Sequence, residues 1–434
     1  MIKQALVLLP PGAERTDDTV GPLAKLGGLT VIQRILYSLQ RAGIEEGIVL
    51  SRDEWPGLAH HIRQDPKIEA FSWLSTRGSL RDSSEGTAGG SVRGQDCIVH
   101  FPYWIVDRQT LKDLCGQEGP LSESILFEPP PSVIPGGEET PVLALVPGRV
   151  ANDLLRAFGE KAPPDQVIRR LRETEECVRR EQLPEEALMR VEKESDLPAA
   201  ERRLFQGLIK PTESFLSRKF ERKVSLAITR RLLYTRITPN QISIASILLG
   251  VFSTLLFLGE SRSLHVLGGL LILFSSIVDG CDGELARLRF QESRWGSWLD
   301  FLGDNVVHVS IFLCLGLGLT LRGEGTVYVV LGCLAALANV GAASAVFFRV
   351  FLKSGDRVVT FATPVRVEEM DRAEGWLRRR IEFTDKLSNR DFFYLVLVCA
   401  AIGQLWLFMW VASLGVVFYF FNLIYLYYRM RTIR

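Results

Sequence analysis

Four aspartates, Asp279, Asp282, Asp300 and Asp304, sit in the 26-residue string DGCDGELARLRFQESRWGSWLDFLGD, beside or inside segments apolar enough to span a membrane. An ionised Asp at the bilayer centre costs roughly 2.5–3.5 kcal/mol on insertion scales, so such residues usually face a cavity and bind ions or substrate. Asp279 and Asp282 are three apart and Asp300 and Asp304 four apart. On helices each pair projects from one face about a turn apart. Two such helix ends facing each other would form an all-oxygen cage, the ligand set that hard divalent cations such as magnesium prefer.

The elements that must position these carboxylates are apolar helices. The chain has 434 residues and a formal net charge of +1, with a mean hydropathy of +0.14. Up to about Lys210 it is charged and broken by Pro and Gly, whereas beyond Ile237 long apolar runs dominate. Six spans are expected at 239–259, 264–282, 298–319, 326–350, 391–408 and 409–428, each near the ~20 residues that cross the hydrocarbon core. The last division is open, since Gly403-Gln404 or Ala412–Gly415 would also serve as the turn. Lys and Arg concentrate before the first span, at 287–294, at 349–390 and in the tail RMRTIR. This predicts a multi-pass protein of the inner (cytoplasmic) membrane with both termini and the carboxylates facing the cytoplasm.

The complete pattern is Asp279, two residues, Asp282-Gly283, two residues, Ala286-Arg287, eight residues, Gly296, three residues, Asp300, three residues, Asp304. It resembles the signature of the CDP-alcohol phosphotransferase (CDP-alcohol phosphatidyltransferase) family. That resemblance implies an integral membrane enzyme that moves a substituted phosphate from a CDP-alcohol donor to an acceptor alcohol and releases CMP, with Mg2+ or Mn2+ as cofactor and a homodimer as working unit. It implies that Asp279, Asp282 and Asp300 hold metal, and that Asp304 touches the metal and acts as the base toward the acceptor hydroxyl. Gly283 and Gly296 would permit close backbone approach of the nucleotide, and Ala286 would leave room on the helix face. Arg287 would pair either with a phosphate or with an acidic signature residue.

ITPNQIS resembles the family's first-span start, with Pro239 in the first helical turn, where its missing N–H costs nothing. Asn240 then either reaches the nucleotide or a metal-bound phosphate, or merely caps and packs. The preceding stretch SRKFERKVSLAITRRLLYTR reads as a basic amphipathic helix lying on the membrane, its cations near anionic headgroups. His308 continues the Asp300–Asp304 face by one turn, and both a packing role and a role in the cavity are open. Residues 353–394 are long enough to form a cytoplasmic flap.

The soluble half opens with the strand QALVLLPPG, the helix LGGLTVIQRILYSLQRAG and the strand EGIVLS, a βαβ unit. MIKQALVLLPPG has too short an apolar core for a signal peptide. PLAKLGGLTVIQRIL and Glu85-Gly86-Thr87-Ala88-Gly89 resemble the helix start and base-recognition loop of the sugar-phosphate nucleotidyltransferases. The two modules together are similar to the archaeal fusion of inositol-phosphate cytidylyltransferase with di-inositol-phosphate-phosphate synthase. The departures are specific: PPGAER replaces a Gly-rich phosphate loop, Gly21 stands where a Lys is expected before Pro22, and Phe101-Pro102 replaces a metal-binding Asp. These departures predict that this half does not make the CDP-alcohol. RRLRETEECVRREQ and AAERRLF read as a charged helical connector, and their interleaved acids exclude a nucleic-acid partner. Seven cysteines without a CxxC pair argue against a zinc site or a disulfide scaffold.

The expected architecture is an α/β nucleotidyltransferase-like (Rossmann-like) domain at 1–200, a basic interfacial linker helix at 201–236, and an all-α six-transmembrane-helix domain at 237–434. A lipid donor such as CDP-diacylglycerol is favoured, because an acyl-bearing alcohol would stay in the bilayer while its cytidine headgroup enters from water. The alternative within enzymes is a bifunctional CDP-inositol-forming, di-inositol-phosphate-phosphate-synthase-like chain. Outside enzymes, the alternative is a catalytically silent membrane anchor whose soluble domain binds a nucleotide or partner.

Overall fold

In the computed structural model the structure is described for residues 1–10, 18–51, 55, 57–68, 71–75, 95–117, 119–133, 141–159, 178–209, 220–351, 375, 378–381, 384 and 392–432. Met1–Gln206 and Gly207–Arg434 form two compact units.

The first unit is α/β. In chain order it contains β1 (Gln4–Leu8), β2 (Lys25–Leu26), β3 (Leu29–Thr30), α1 (Val31–Ala42), β4 (Glu46–Ser51), α2 (Leu58–Gln64), β5 (Phe71–Ser75), β6 (Cys97–His100), β7 (Trp104–Val106), α3 (Arg108–Cys115), β8 (Ser124–Glu128), β9 (Leu143–Val146), α4 (Gly148–Gly159), β10 (Val178–Gln182), β11 (Leu188–Arg190) and α5 (Leu197–Gln206). Seven strands make one sheet in the order β10-β8-β9-β6-β1-β4-β5, parallel except where β9 runs against β6 and β8. Every residue of β1 is buried, as expected of a central parallel strand covered on both faces. The expected βαβ opening is present, with β1 parallel to β4 in register Gln4↔Glu46. Helix α1 starts on a capping box between Thr30 and Gln33. It stops at Gly43, φ 106°, where a left-handed residue exposes the last carbonyls to the following N–H groups.

Residues 169–177 of the expected charged helix lie outside the described residues, and the described remainder departs from expectation. Val178–Gln182 is not helical but an edge strand parallel to β8. Its charges suit that position, because an edge strand is protected from further pairing by charged side chains, and Arg180 pairs with Glu128 at 3.6 Å. AAERRLF is helical, within α5.

The second unit is all-α: α6 (Arg222–Leu232), α7 (Pro239–Leu255), α8 (Arg262–Leu288), α9 (Arg294–Leu321), α10 (Val327–Val346), α11 (Phe392–Ile402) and α12 (Leu405–Thr432). Among the described residues five helices are long and apolar enough to cross a membrane: Pro239–Leu258, Arg262–Leu288, Arg294–Leu321, Val327–Arg349 and Leu405–Arg429. Leu248, Phe252, Leu270, Leu337 and Phe421 are exposed on their outer faces, a large apolar surface that hydrocarbon covers at no cost. This is a multi-pass membrane domain.

The sixth expected span is the shorter helix α11, and the turn after it lies at Gly403-Gln404, so α12 begins at Leu405 rather than 409. Gly403 has φ 78°, and the N–H groups of Gly403 and Gln404 donate to the carbonyls of Ala400 and Cys399 at 3.2 and 2.8 Å. That pair of bonds is a Schellman stop, which needs a residue tolerant of positive φ. Helices α9 and α10 pack closely at reciprocal glycines. A Cβ on Gly316 would lie 2.6 Å from the Tyr328 carbonyl oxygen, and one on Gly332 2.5 Å from that of Phe312, so only small residues allow this approach.

Candidate active site

The carboxylates meet where the last turns of α8 face the first turns of α9. Asp279 and Asp282 are buried, Asp300 is half-buried, and one oxygen from each lies within 4.8 Å of the other two. Among the described residues this is the one group of three or more His, Cys, Asp or Glu side chains arranged to hold a metal ion. Asp304, one turn beyond Asp300 on α9, is half-buried and is not one of the three. The structure therefore brings three of the four signature aspartates together. The donor set is entirely oxygen and anionic, which suits a hard divalent cation.

Helix α7 supports the cluster. The hydroxyl of Ser243 donates to Asp282 Oδ2, and the Gly283 N–H donates to Asp282 Oδ1. Ser246 Oγ lies 3.4 Å from Asp279 Oδ1 and 2.8 Å from the carbonyl oxygen of Ser243. Ser243 and Ser246 are both 2% exposed. The sequence reading missed them as site residues. Their signal was the i, i+3 spacing Asn240, Ser243, Ser246, which lays polar groups along one face of an apolar span.

Thr238 is the N-cap of α7, in a capping box with Gln241 and with Pro239 in the first turn. The cap of α7 is thus Thr238 and not Asn240. Asn240 is exposed, and its Oδ1 would lie 3.3 Å from a Cβ on Gly296. Gly296 donates its N–H to Ser293 Oγ, the N-cap of α9, at 3.0 Å, so the glycine lets the starts of α7 and α9 approach. Ala286 is half-buried, and its carbonyl accepts from the Gln291 N–H at 2.8 Å, closing the end of α8. Arg287 folds back toward Gly283, with a guanidinium nitrogen 3.1 Å from where a Cβ there would stand. It lies in the field of Glu284, Glu292 and Asp282, and its buried Nε has no hydrogen bond among the described residues. His308 packs its ring against Phe392 and Phe393, with centroids 5.0 and 5.6 Å away.

The basic helix before the first span has a buried polar face besides its exposed cations. α6 buries a polar face: Ser225 and Thr229 are 2% and 0% exposed, and both donate to Glu284 of α8. Small polar residues one turn apart thus dock this helix on a neighbouring span, while Arg230 and Lys223 stay exposed. Arg289, one of the cations of the 287–294 stretch, donates to the carbonyls of Leu232, Leu233, Thr235 and Ile237 at 2.6–3.0 Å. It satisfies the orphan carbonyls at the end of α6, as cations at helix C-termini do. The flap expected at 353–394 lies largely outside the described residues.

In the first unit the C-terminal ends of β1 and β6 carry Leu9, Pro10 and Phe101, all buried. Phe101 directly follows β6 and is 1% exposed, so no carboxylate stands there. His100, at the end of β6, is buried with Nδ1 lacking a hydrogen bond among the described residues. Burial pushes its pKa down to about 4. Ala24 donates its N–H to the carbonyl of Gly21 at 3.0 Å, and Lys25 is exposed. Arg15 in the first loop and the Glu85–Gly89 loop lie outside the described residues.

Known proteins are similar to parts of this chain. The "Bifunctional IPC transferase and DIPP synthase" of Archaeoglobus fulgidus is 28% identical over 339 residues, 70% of this chain and 64% of that protein. The protein of the same description from Aquifex aeolicus is 35% identical over 132 residues, 30% of each chain. The chain thus spans less than two thirds of the length of either relative. Among solved structures, the inositol-1-phosphate CTP transferase of T. maritima covers 46% of this chain at 11% identity and a TM-score of 0.32, with 95% of that chain covered. The Mycobacterium tuberculosis phosphatidylinositol phosphate synthase with CDP-DAG bound covers 46% at 18% identity and a TM-score of 0.31, with 94% of that chain covered. The family model described as CDP-alcohol phosphatidyltransferase matches residues 236–418. That stretch holds Asn240, Ser243 and all four signature aspartates, so the membrane part of this chain is similar to the CDP-alcohol phosphatidyltransferases over the residues that carry the carboxylates.

Proposed function

We propose that this chain is an integral membrane transferase that moves a substituted phosphate group from a CDP-alcohol to an acceptor alcohol with release of CMP. The observation that carries the reading is the convergence of Asp279, Asp282 and Asp300 within 4.8 Å inside a segment matching the CDP-alcohol phosphatidyltransferase model. These three residues, with Asp304 as a fourth, would hold Mg2+ or Mn2+. When bound, such an ion neutralises the donor pyrophosphate and the departing CMP.

The chain's own groups do the rest. Ser243 and the Gly283 N–H hold Asp282 in one orientation. Asn240, Gly283, Ala286, Arg287 and Gly296 receive the nucleotide. Asp304, one turn past Asp300, takes the proton of the acceptor hydroxyl as its oxygen bonds to phosphorus and the bond from that phosphorus to the CMP oxygen breaks. Basic residues Arg287, Arg289 and Arg294 cluster at the helix ends that carry the carboxylates, supporting a site on the cytoplasmic face of the cytoplasmic membrane. The working unit in this reading is a homodimer.

The favoured donor is a lipid such as CDP-diacylglycerol, since the carboxylates lie near the ends of membrane-crossing helices. A second reading, a soluble CDP-inositol donor, is favoured by the description of the relatives as bifunctional IPC transferases and DIPP synthases. The apolar ends of β1 and β6 speak against the first unit making that donor. Purified protein assayed for CMP release should require Mg2+ or Mn2+ and lose activity on Asp282→Ala; full activity in excess EDTA would sink the metal reading. CMP release from a soluble CDP-polyol alone, across several acceptors, would reverse the donor ranking.

A further inference from the structure

Glu284 is the most completely enclosed carboxylate beside the site, with 0% exposure. It lies two residues after Asp282, and its partners all come from α6. Arg222 and Ser225 each stand 2.6 Å from Oε1, and Thr229 donates to Oε2 at 2.7 Å. With both oxygens engaged by three donors, Glu284 is not disposed to be a metal ligand itself. The turn from Asp279 to Glu284 therefore has two working sides. Asp279 and Asp282 face the serines of α7, while Gly280 and Glu284, one turn apart, face α6. A Cβ on Gly280 would lie 3.3 Å from an Arg222 guanidinium nitrogen, so Arg222 lies directly over this turn. Helix α6 is held at two further points. Tyr394 of α11 donates to Glu221 at 2.7 Å, and Arg289 binds the carbonyls at its C-terminal end.

We infer that Glu284, neutralised by Arg222, is a positioning residue that fixes the rotation of the Asp279–Asp282 turn. Helix Arg222–Leu232, which precedes the matched segment 236–418, is then part of the active-site framework. A carboxylate clamped from α6 resists rotation of α8 about its axis, and such rotation would swing Asp279 and Asp282 away from Asp300. Three like charges within 4.8 Å repel one another unless the surrounding groups hold them together. A buried carboxylate with a guanidinium and two hydroxyls is a rigid clamp, because each bond is charge-assisted and shielded from water. This inference rests on the metal reading above.

The test measures Mn2+ binding by the full-length protein in detergent, from the free-ion signal in electron paramagnetic resonance, alongside the unfolding temperature in EDTA. Glu284→Gln should raise the Mn2+ midpoint by about 10- to 100-fold, the loss usual when a group that orients a metal ligand is changed. Arg322→Met serves as the control. Arg322 binds the carbonyls of Phe257 and Gly259 at 2.9 Å, beyond the opposite end of the helices, so its variant should lower the unfolding temperature and leave the midpoint in place. If Glu284→Gln does not fold, Thr229→Val, which removes one donor and keeps the shape, carries the test with a shift in the same direction. A midpoint within twofold of the parent in whichever variant folds overturns the positioning role and leaves the metal reading intact. A parent protein that binds no Mn2+ overturns the metal reading and the inference built on it.

Discussion

Removing the hydroxyl of Ser243 is the sharpest perturbation available at the carboxylate cluster, because it changes one atom and none of the charges. Ser243 is 2% exposed and Asp282 7%, so water is poorly placed to replace the lost donor. Hydrogen bonds to charged groups contribute about 1.5–3 kcal/mol. At 1.4 kcal/mol per decade, losing one corresponds to roughly a 10- to 150-fold fall in kcat/KM if the bond is intact in the transition state. The Gly283 N–H stays on the other oxygen of Asp282, which places the expected value for Ser243→Ala toward the lower half of that range.

Ser246→Ala is the internal comparison. Its oxygen is 3.4 Å from Asp279 but 2.8 Å from the Ser243 carbonyl, so its single proton is better spent within the helix, and its loss should cost about threefold or less, as befits a long hydrogen bond. The assay is CMP release from a CDP-alcohol in detergent at saturating Mg2+, with the unfolding temperature recorded for each variant. Equal effects of the two alanines, or a Ser243→Ala enzyme within threefold of the parent, would refute the claim that α7 orients the cluster.

Asp304→Asn should keep donor binding but lower turnover by about 10²–10⁴-fold, the usual contribution of a positioned base; turnover near the parent value moves the base elsewhere. The full-length protein incubated with CTP, Mg2+ and a panel of sugar and polyol phosphates should release no pyrophosphate beyond background. Steady release with any of them would contradict the reading of the Leu9, Pro10 and Phe101 cluster as an unproductive phosphate site. The pH dependence of the first unit follows from His100, whose pKa falls from 6.5 to about 4 on burial. Above pH 6.5 the ring is neutral in both states and its full contribution to stability is present. Between 6.5 and about 4 the unfolded chain takes up the proton first, so stability is lost as pH falls, by about 3 kcal/mol in total. His100→Leu should flatten that part of the profile, and parallel profiles for parent and variant would refute it.

What the sequence made legible depended on how local the cause was. The four aspartates stand in a pattern whose spacing needs only one helix end on each side, and three of them do converge. Pro239 is punctuation read directly from residue type, because a fixed φ acts on its own residue, whereas Gly403-Gln404 is only one of the two turns that the sequence offers near the end. Val178–Gln182 was missed for the opposite reason. VRREQ has no strand alternation of apolar residues, and its pairing partners at 124–128 lie some fifty positions earlier. Glu284 escaped notice similarly, since its donors at 222, 225 and 229 precede it by 55–62 residues. The amphipathic reading of α6 assumed that its polar face seeks headgroups or water. Ser225 and Thr229 are small enough for a second helix to bury, and the carboxylate they meet explains why they are polar.

The same turn of α8 holds acids compensated in two different ways, and the difference bears on which of them do chemistry. Glu284 is met by a guanidinium, with two hydroxyls completing its shell. A charge neutralised by a cation of the chain is structural, because nothing remains for a ligand to answer. Asp282 is met by a hydroxyl and a backbone N–H, and Ser246 approaches Asp279 at 3.4 Å. Neutral donors orient a carboxylate without cancelling its charge, so an acid held this way can still answer a cation that binds at the cluster. Exchanging the two kinds of compensation tests that logic. Ser243→Lys would bring a resident cation to Asp282, with its stem lying along the helix. The expected outcome is a protein whose unfolding temperature no longer rises with Mn2+ and whose CMP release is lost. Retention of a Mn2+-dependent rise equal to the parent's would mean that the aspartates are held by other groups and that the distinction between oriented and neutralised acids does not apply here.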